Sequence, residues 1–100
     1  MPAGKDVRPH KWSDVIDLYD DGKYAAIWGY YDGESSRCLG VRWNGDDSHV
    51  GYPNQGANPL WFIEPDFTTK NILLTLLDMV NKDASIGKIE NILLALKEFG

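Results

Sequence analysis

Two runs rich in aromatic and β-branched residues, Lys23 to Tyr31 and Arg37 to Trp43, read as strands, because such side chains fit a pleated surface. Asp32-Gly33-Glu34-Ser35-Ser36 between them is turn chemistry, and Asn44-Gly45 breaks the second run. Leu60 to Glu64 reads as a further strand, stopped by Pro65. Residues 12–19, WSDVIDLY, fit two patterns. Trp12, Val15, Ile16 and Tyr19 stand at helical spacing behind Ser13 as a cap. Ile16, Leu18 and the Asp21-Gly22 turn instead describe the first strand of a hairpin. The reading taken is a strand over 15–20, with the helix as its alternative.

After Asp66 the period changes. Ile72, Leu73, Leu76, Leu77 and Val80 recur at helical spacing, with Asp66 or Thr68 placed to cap the helix. Asn81 to Ser85 is a polar break, and Ser85 or Asp83 is placed to cap a second helix. Its stripe is Ile86, Ile89, Leu93 and Leu96, with Ile92 and Phe99 beside it. NILLTL at 71–76 and NILLAL at 91–96 fit two short helices with one packing solution, and the repeat is too short for a solenoid. Strands first and helices last predict an α+β fold: an antiparallel β-meander of three to five strands with two C-terminal helices packed on one face. Residues 1–11 read as a flexible basic tail and 12–100 as a single α+β domain.

Pairing Tyr31 with Arg37 across a five-residue turn sets Gly29 against Leu39, Ile27 against Val41 and Ala25 against Trp43. That face is expected under the helices, with Leu39, Val41, Ile27, Leu73, Leu77, Ile89 and Leu93 in one core. The opposite face then carries Tyr24, Ala26, Trp28 and Tyr30 with Cys38, Gly40 and Arg42. No helix remains to cover it, so the 44–59 loop or a second subunit is expected there. Arg42, inside a strand among aromatic residues, is expected to be buried and bonded to a carboxylate, Asp17 first.

The composition is that of an ordinary globular domain, 43% hydrophobic and 25% charged, and no apolar run approaches the roughly 20 residues that cross a bilayer. The start, MPAGKDVRPHK, lacks the apolar segment of a signal peptide. Lone Cys38 cannot form an internal disulfide, which suits a reducing, cytoplasmic setting. Charge is uneven within the net −5: Lys5, Arg8 and Lys11 against Asp6 leave residues 1–12 at +2, while residues 13–66 stand at −7. So acidic a body repels phosphate backbones and argues against nucleic acid as the partner.

No constellation compels a catalytic reading. His49 follows Asp46, Asp47 and Ser48, but no second His or Cys lies at ligand spacing, so no metal or cofactor is expected. Glu64, between Ile63 and Pro65 at a strand end, is the best placed carboxyl for acid/base work. Cys38 lies mid-strand, where a thiol behaves as a small hydrophobe.

The segments LGVRWNG (39–45), GYPNQG (51–56) and PLWFIEP (59–65) resemble those of small uncharacterised bacterial proteins, including products of mobile integron gene cassettes. The likeness spans residues 15–80 and leaves out the tail and the second helix. It implies a small soluble protein working alone or as a homo-oligomer, and transfers no activity, cofactor or catalytic residue.

The expected function is a non-catalytic binding or interaction protein, homodimeric through the aromatic sheet face or the helical leucines Leu74 and Leu94. Tyr24, Trp28, Tyr30, Arg42, His49 and Tyr52 are its candidate ligand or interface residues. The alternatives are a ligand-binding or enzymatic domain with a pocket at the 44–59 loop, and an antitoxin or immunity-type protein masking a basic partner.

Overall fold

The computed structural model describes residues 12–45, 48–49, 51–55 and 58–100. The expected basic tail, His10, Asp46 and Asp47 lie outside the described residues. Strands β1 (Trp12–Asp20), β2 (Tyr24–Tyr31) and β3 (Cys38–Trp43) are followed by the short β4 (Asn54–Gln55), β5 (Asn58–Pro59) and β6 (Phe62–Ile63). Helix α1 (Asp66–Lys82), a 3₁₀ turn at Ala84–Ile86 and helix α2 (Ile89–Phe99) complete the chain. The main sheet is antiparallel in the order β1-β2-β3-β6, and β4 pairs with β5 alone. The α+β meander with two C-terminal helices is therefore the fold. No helix among the described residues is long and apolar enough to cross a membrane.

The ambiguity at residues 12–19 has a structural cause. The segment is strand, but its register against β2 shifts between Ser13 and Ile16 and again between Asp17 and Tyr19. Each bulge adds a residue and breaks the period of two. Trp12 and Val15 thus pack with one core cluster, while Ile16, Leu18 and Tyr19 join another. An irregular strand with two bulges mimics the three-to-four spacing of a helix.

The hairpin register corrects the expected faces. Ala26 pairs with Val41, Trp28 with Leu39 and Gly29 with Cys38, one residue out of step with the Tyr31–Arg37 pairing. Because side chains alternate, a slip of one residue moves a strand's whole apolar set to the other face. Trp28 and Ala26 thus lie in the main core with Leu39, Val41, Leu18, Leu73 and Ile92. Ile27 leaves that core and lies on the reverse face with Trp12, Ala25 and Trp61.

The reverse face is closed without a helix. Gly40 leaves room for the Trp12 indole: a Cβ there would stand 2.9 Å from Trp12 Cη2. At Gly29 a Cβ would stand 2.8 Å from Val15 Cγ2. The two glycines therefore let a tryptophan and a valine lie down on the sheet, and Trp61 completes the cover.

Two hydrogen bonds and a bridge attach α2 to the sheet edge. Lys88 N donates to Leu18 O at 3.0 Å, Asn91 Nδ2 to Asp17 O at 2.8 Å, and Tyr19 bridges Gly87. At its far end the buried Trp28 indole donates to Glu98 Oε1 at 2.8 Å, and Arg37 pairs with Glu98 Oε2 at 2.7 Å. The α2 stripe differs from the expected one: Ile92 and Ala95 are buried, whereas Leu93 is 51% exposed. These contacts turn the Asn91 face of α2 toward β1, and Leu93 rotates outward with it. Leu77 and Ile89 pack against the core, as expected.

The caps differ as well. Pro65 is the α1 N-cap, and the Thr69 hydroxyl donates back to its carbonyl at 2.9 Å, so neither Asp66 nor Thr68 caps the helix. Asp66 sits inside the first turn, where its charge complements the helix dipole. Asp83 accepts from Ser85 N at 3.0 Å and caps the 3₁₀ turn, while Lys88 is the N-cap of α2.

Candidate binding site

The helices pack over Leu18, Trp28, Leu39 and Val41 and leave one end of the same face open. β3 ends there at Trp43, which pairs with Tyr24 on one side and bridges Tyr52 on the other. Backbone bonds Trp43 N to Tyr52 O at 2.7 Å and Tyr52 N to Trp43 O at 2.9 Å hold that bridge. Phe62, paired with Val41, projects from the same face. Trp43 is 57% exposed, Tyr52 65% and Phe62 48%, unusual values for aromatic side chains standing side by side.

The loop that returns from Trp43 to Tyr52 is closed by two glycines. Gly45 and Gly51 have φ of +81° and +86°, conformations that other residues rarely adopt. A Cβ at Gly51 would strike the Trp43 carbonyl and stand 2.7 Å from Arg42 Nη2. The guanidinium therefore lies directly under this loop. Arg42 is 1% exposed, and its Nη1 donates to Leu60 O at 2.7 Å. Its Cζ lies 6.0 Å from the Trp61 ring centroid. Burial draws its pKa down from the ordinary guanidinium value. Arg42 thus lies between Gly51, the Leu60 carbonyl ahead of β6 and the reverse-face Trp61. The expectation of burial holds. The register, however, sets Asp17 against Ile27 and Gly40, while the acid in the Arg42 row is Asp20, beyond Ala25. The hairpin turns at Gly22-Lys23, one residue later than the expected Asp21-Gly22 turn, and together with the β2–β3 register this changes the row.

Two hollows flank Trp43 and share Tyr24. The larger, about 420 Å³, lies toward α1 and is walled by Ile72, Leu76 and Met79, with Asp21, Asn71 and Thr75 at its polar positions. The smaller, about 240 Å³, lies toward β6 and is lined by Arg42, Tyr52, Pro53, Phe62 and Glu64. Tyr24 and Trp43 meet edge to face, with centroids 4.7 Å apart.

The charges around these hollows are held in place. Tyr19 donates its hydroxyl to Asp21 Oδ2 at 2.8 Å, and burial followed by that bond pushes the phenol up to about 12. Burial alone would raise the Asp21 carboxyl. The N–H groups of Tyr24 and Lys23 and the Tyr19 hydroxyl outweigh it and hold the carboxyl below its ordinary value. Burial and the nearby Glu64 charge raise the Tyr24 phenol. Glu64 accepts from the Thr68 hydroxyl at 2.9 Å.

Of the expected site residues, Tyr24, Arg42 and Tyr52 come together at the smaller hollow. Trp28 does not: it is 1% exposed beneath the helices, because the one-residue register change turns it inward. It therefore cannot centre an exposed interface. Tyr30 lies toward the opposite end of β2, where the Arg37 guanidinium stacks on its ring at 5.2 Å. His49 is exposed, and its backbone carbonyl abuts Gly45. Trp43 and Phe62 are site residues that the sequence reading missed. Their signal was the strand end at Asn44-Gly45, which releases Trp43 from helix cover.

Burial, then the charges of Glu34 and Asp66, push the Cys38 thiol up to about 11, so it is protonated at neutral pH and a poor nucleophile. Among the described residues no group of three or more His, Cys, Asp or Glu stands together in a way that would hold a metal. Comparison of the chain with protein-family models, with curated proteins and with solved structures finds no match in any of the three.

Proposed function

We propose that the protein is a non-catalytic interaction protein that grips a segment of another protein at the open aromatic end of its sheet. The observation that carries this reading is the exposure of Trp43, Tyr52 and Phe62 together on one face, beside two hollows. Aromatic side chains supply large contact area at low conformational cost, and tryptophan and tyrosine are enriched among residues that dominate binding energy. The ladder to Tyr24, the bridge to Tyr52 and the buried Arg42 beneath fix the site before any partner arrives, which lowers the ordering cost of binding.

Selection of a displayed random-peptide library on the immobilised protein tests this reading. Wild-type protein should enrich binders that Trp43→Ala does not retain. No enrichment, or equal retention by both proteins, would refute it.

A second observation supports self-association through the helices. Phe67, Leu74, Leu93 and Leu94 are exposed on α1 and α2, and apolar side chains of that size favour cover by a second copy. Sedimentation should show a dimer that Leu74→Glu dissociates. A monomer at all concentrations would remove the dimer and leave the aromatic site untouched.

A further inference from the structure

The aromatic residues of the open end form a row across the sheet. Asp21 N donates to Tyr24 O at 3.2 Å, Tyr24 pairs with Trp43, and Trp43 bridges Tyr52. Neighbouring strands stand about 4.8 Å apart, so Tyr24 and Tyr52 are separated by about 10 Å with Trp43 between them. One turn of a polyproline II helix advances about 9 Å, three residues at about 3.1 Å each. Residues three apart on such a ligand therefore match the spacing of Tyr24 and Tyr52 on either side of Trp43.

The hollows suit proline chemistry. Their walls are aromatic and aliphatic: Tyr24 and Trp43 in both, Tyr52 and Phe62 in one, Ile72 and Met79 in the other. Proline rings stack on such faces, and a polyproline II segment loses little entropy on docking. The charge at the site sets its polarity. In the larger hollow Asp21 is offset by Lys23, and its carboxylate already accepts from two backbone N–H groups and the Tyr19 hydroxyl. In the smaller hollow Glu64 lies beside Tyr52 and Phe62, with one oxygen taken by Thr68. The Arg42 charge there is buried beneath the loop, whereas Glu64 is only partly buried.

We propose that the Tyr24–Trp43–Tyr52 row holds a proline-rich segment of a partner protein in the polyproline II conformation, with a lysine or arginine of that segment beside Glu64. The proposal rests on the interaction-protein reading above and names its ligand.

The test uses the whole chain and three capped peptides: an oligoproline with a terminal arginine, one with a terminal glutamate, and a Gly/Ser peptide with the same arginine. Fluorescence anisotropy of dye-labelled peptide reports binding, a readout that survives removal of the exposed Trp43. The arginine oligoproline should bind saturably, more tightly than the glutamate form, and the Gly/Ser peptide should not bind. Trp43→Ala should weaken binding at least about tenfold. Tyr52→Ser, at the more exposed end of the row, gives the same readout should Trp43→Ala fail to fold. Glu64→Gln should weaken the arginine peptide about two- to fivefold and erase its advantage over the glutamate form.

Failure of every oligoproline to bind overturns the proposal. Equal binding of the arginine and glutamate forms overturns the place given to Glu64. Library selection of proline-free peptides that still need Trp43 overturns the polyproline ligand and leaves the interaction reading standing. A dimer lost in Trp43→Ala overturns it in favour of a second copy on the row. Absence of any selected peptide removes both readings.

Discussion

Replacing Glu98 by alanine removes the carboxylate that joins α2 to the hairpin. The Trp28 indole N–H, buried with its ring, then loses an acceptor at 2.8 Å, and Arg37 loses a partner at 2.7 Å. A buried donor left without an acceptor costs about 1–3 kcal/mol. The ion pair is partly exposed, with side chains 18% and 35% accessible, so its own contribution is at most about 1 kcal/mol. The expected loss is therefore about 1.5–3 kcal/mol, or roughly 8–16 °C in Tm for a loss of about 2 kcal/mol. Urea unfolding followed by tryptophan fluorescence measures it, with the slope unchanged.

The dependence on pH supplies a second check. The Trp28 bond first, and then Arg37, hold the Glu98 carboxyl below its ordinary value of 4.5, while burial opposes them. A carboxyl depressed in the folded state contributes stability above its unfolded pKa and loses it as pH falls through the folded one. The gap between wild type and Glu98→Ala should thus be full at about pH 7 and shrink below about pH 4. A loss under about 0.5 kcal/mol, or a gap that stays constant down to about pH 3, would refute the reasoning.

Further outcomes follow from burial and charge. Ile92→Ala should cost about 2–5 kcal/mol, whereas Leu93→Ala should stay within about 0.5 kcal/mol, and equal losses in urea melts would restore the original stripe. Arg42→Ala should destabilise by about 1.5–3 kcal/mol, because it removes the donor to Leu60 O; a neutral change in Tm would count against its role beneath the loop. Cys38, with its thiol raised to about 11, should be alkylated slowly at neutral pH and faster as pH rises. Iodoacetamide kinetics matching a free thiol at about pH 7.5 would contradict that burial.

The sequence determined what local chemistry controls. Aromatic and β-branched runs made strands, Asp21-Gly22 and Asp32-Gly33 made turns, and the leucine periodicity after Asp66 made two helices. Leu73, Leu39 and Val41 were legible as core because every plausible pairing buries them, and Arg42 because a strand interior offers an arginine little water. Which face Trp28 occupies depended instead on a single residue of register. Ser35 and Ser36 suit either length of turn, so the local chemistry between Tyr31 and Arg37 leaves that register open. The tertiary structure decides it by size. Gly29 and Gly40 must share the face that Trp12 and Val15 cross, and that sends Trp28 beneath the helices. The same placement leaves Trp43, Tyr52 and Phe62 exposed, with α1 reaching only one wall of the hollow beside Trp43. The candidate site therefore exists because two helices of fixed length stop short of one end of the sheet, and helix reach across a sheet is a property of packing that no local pattern carries.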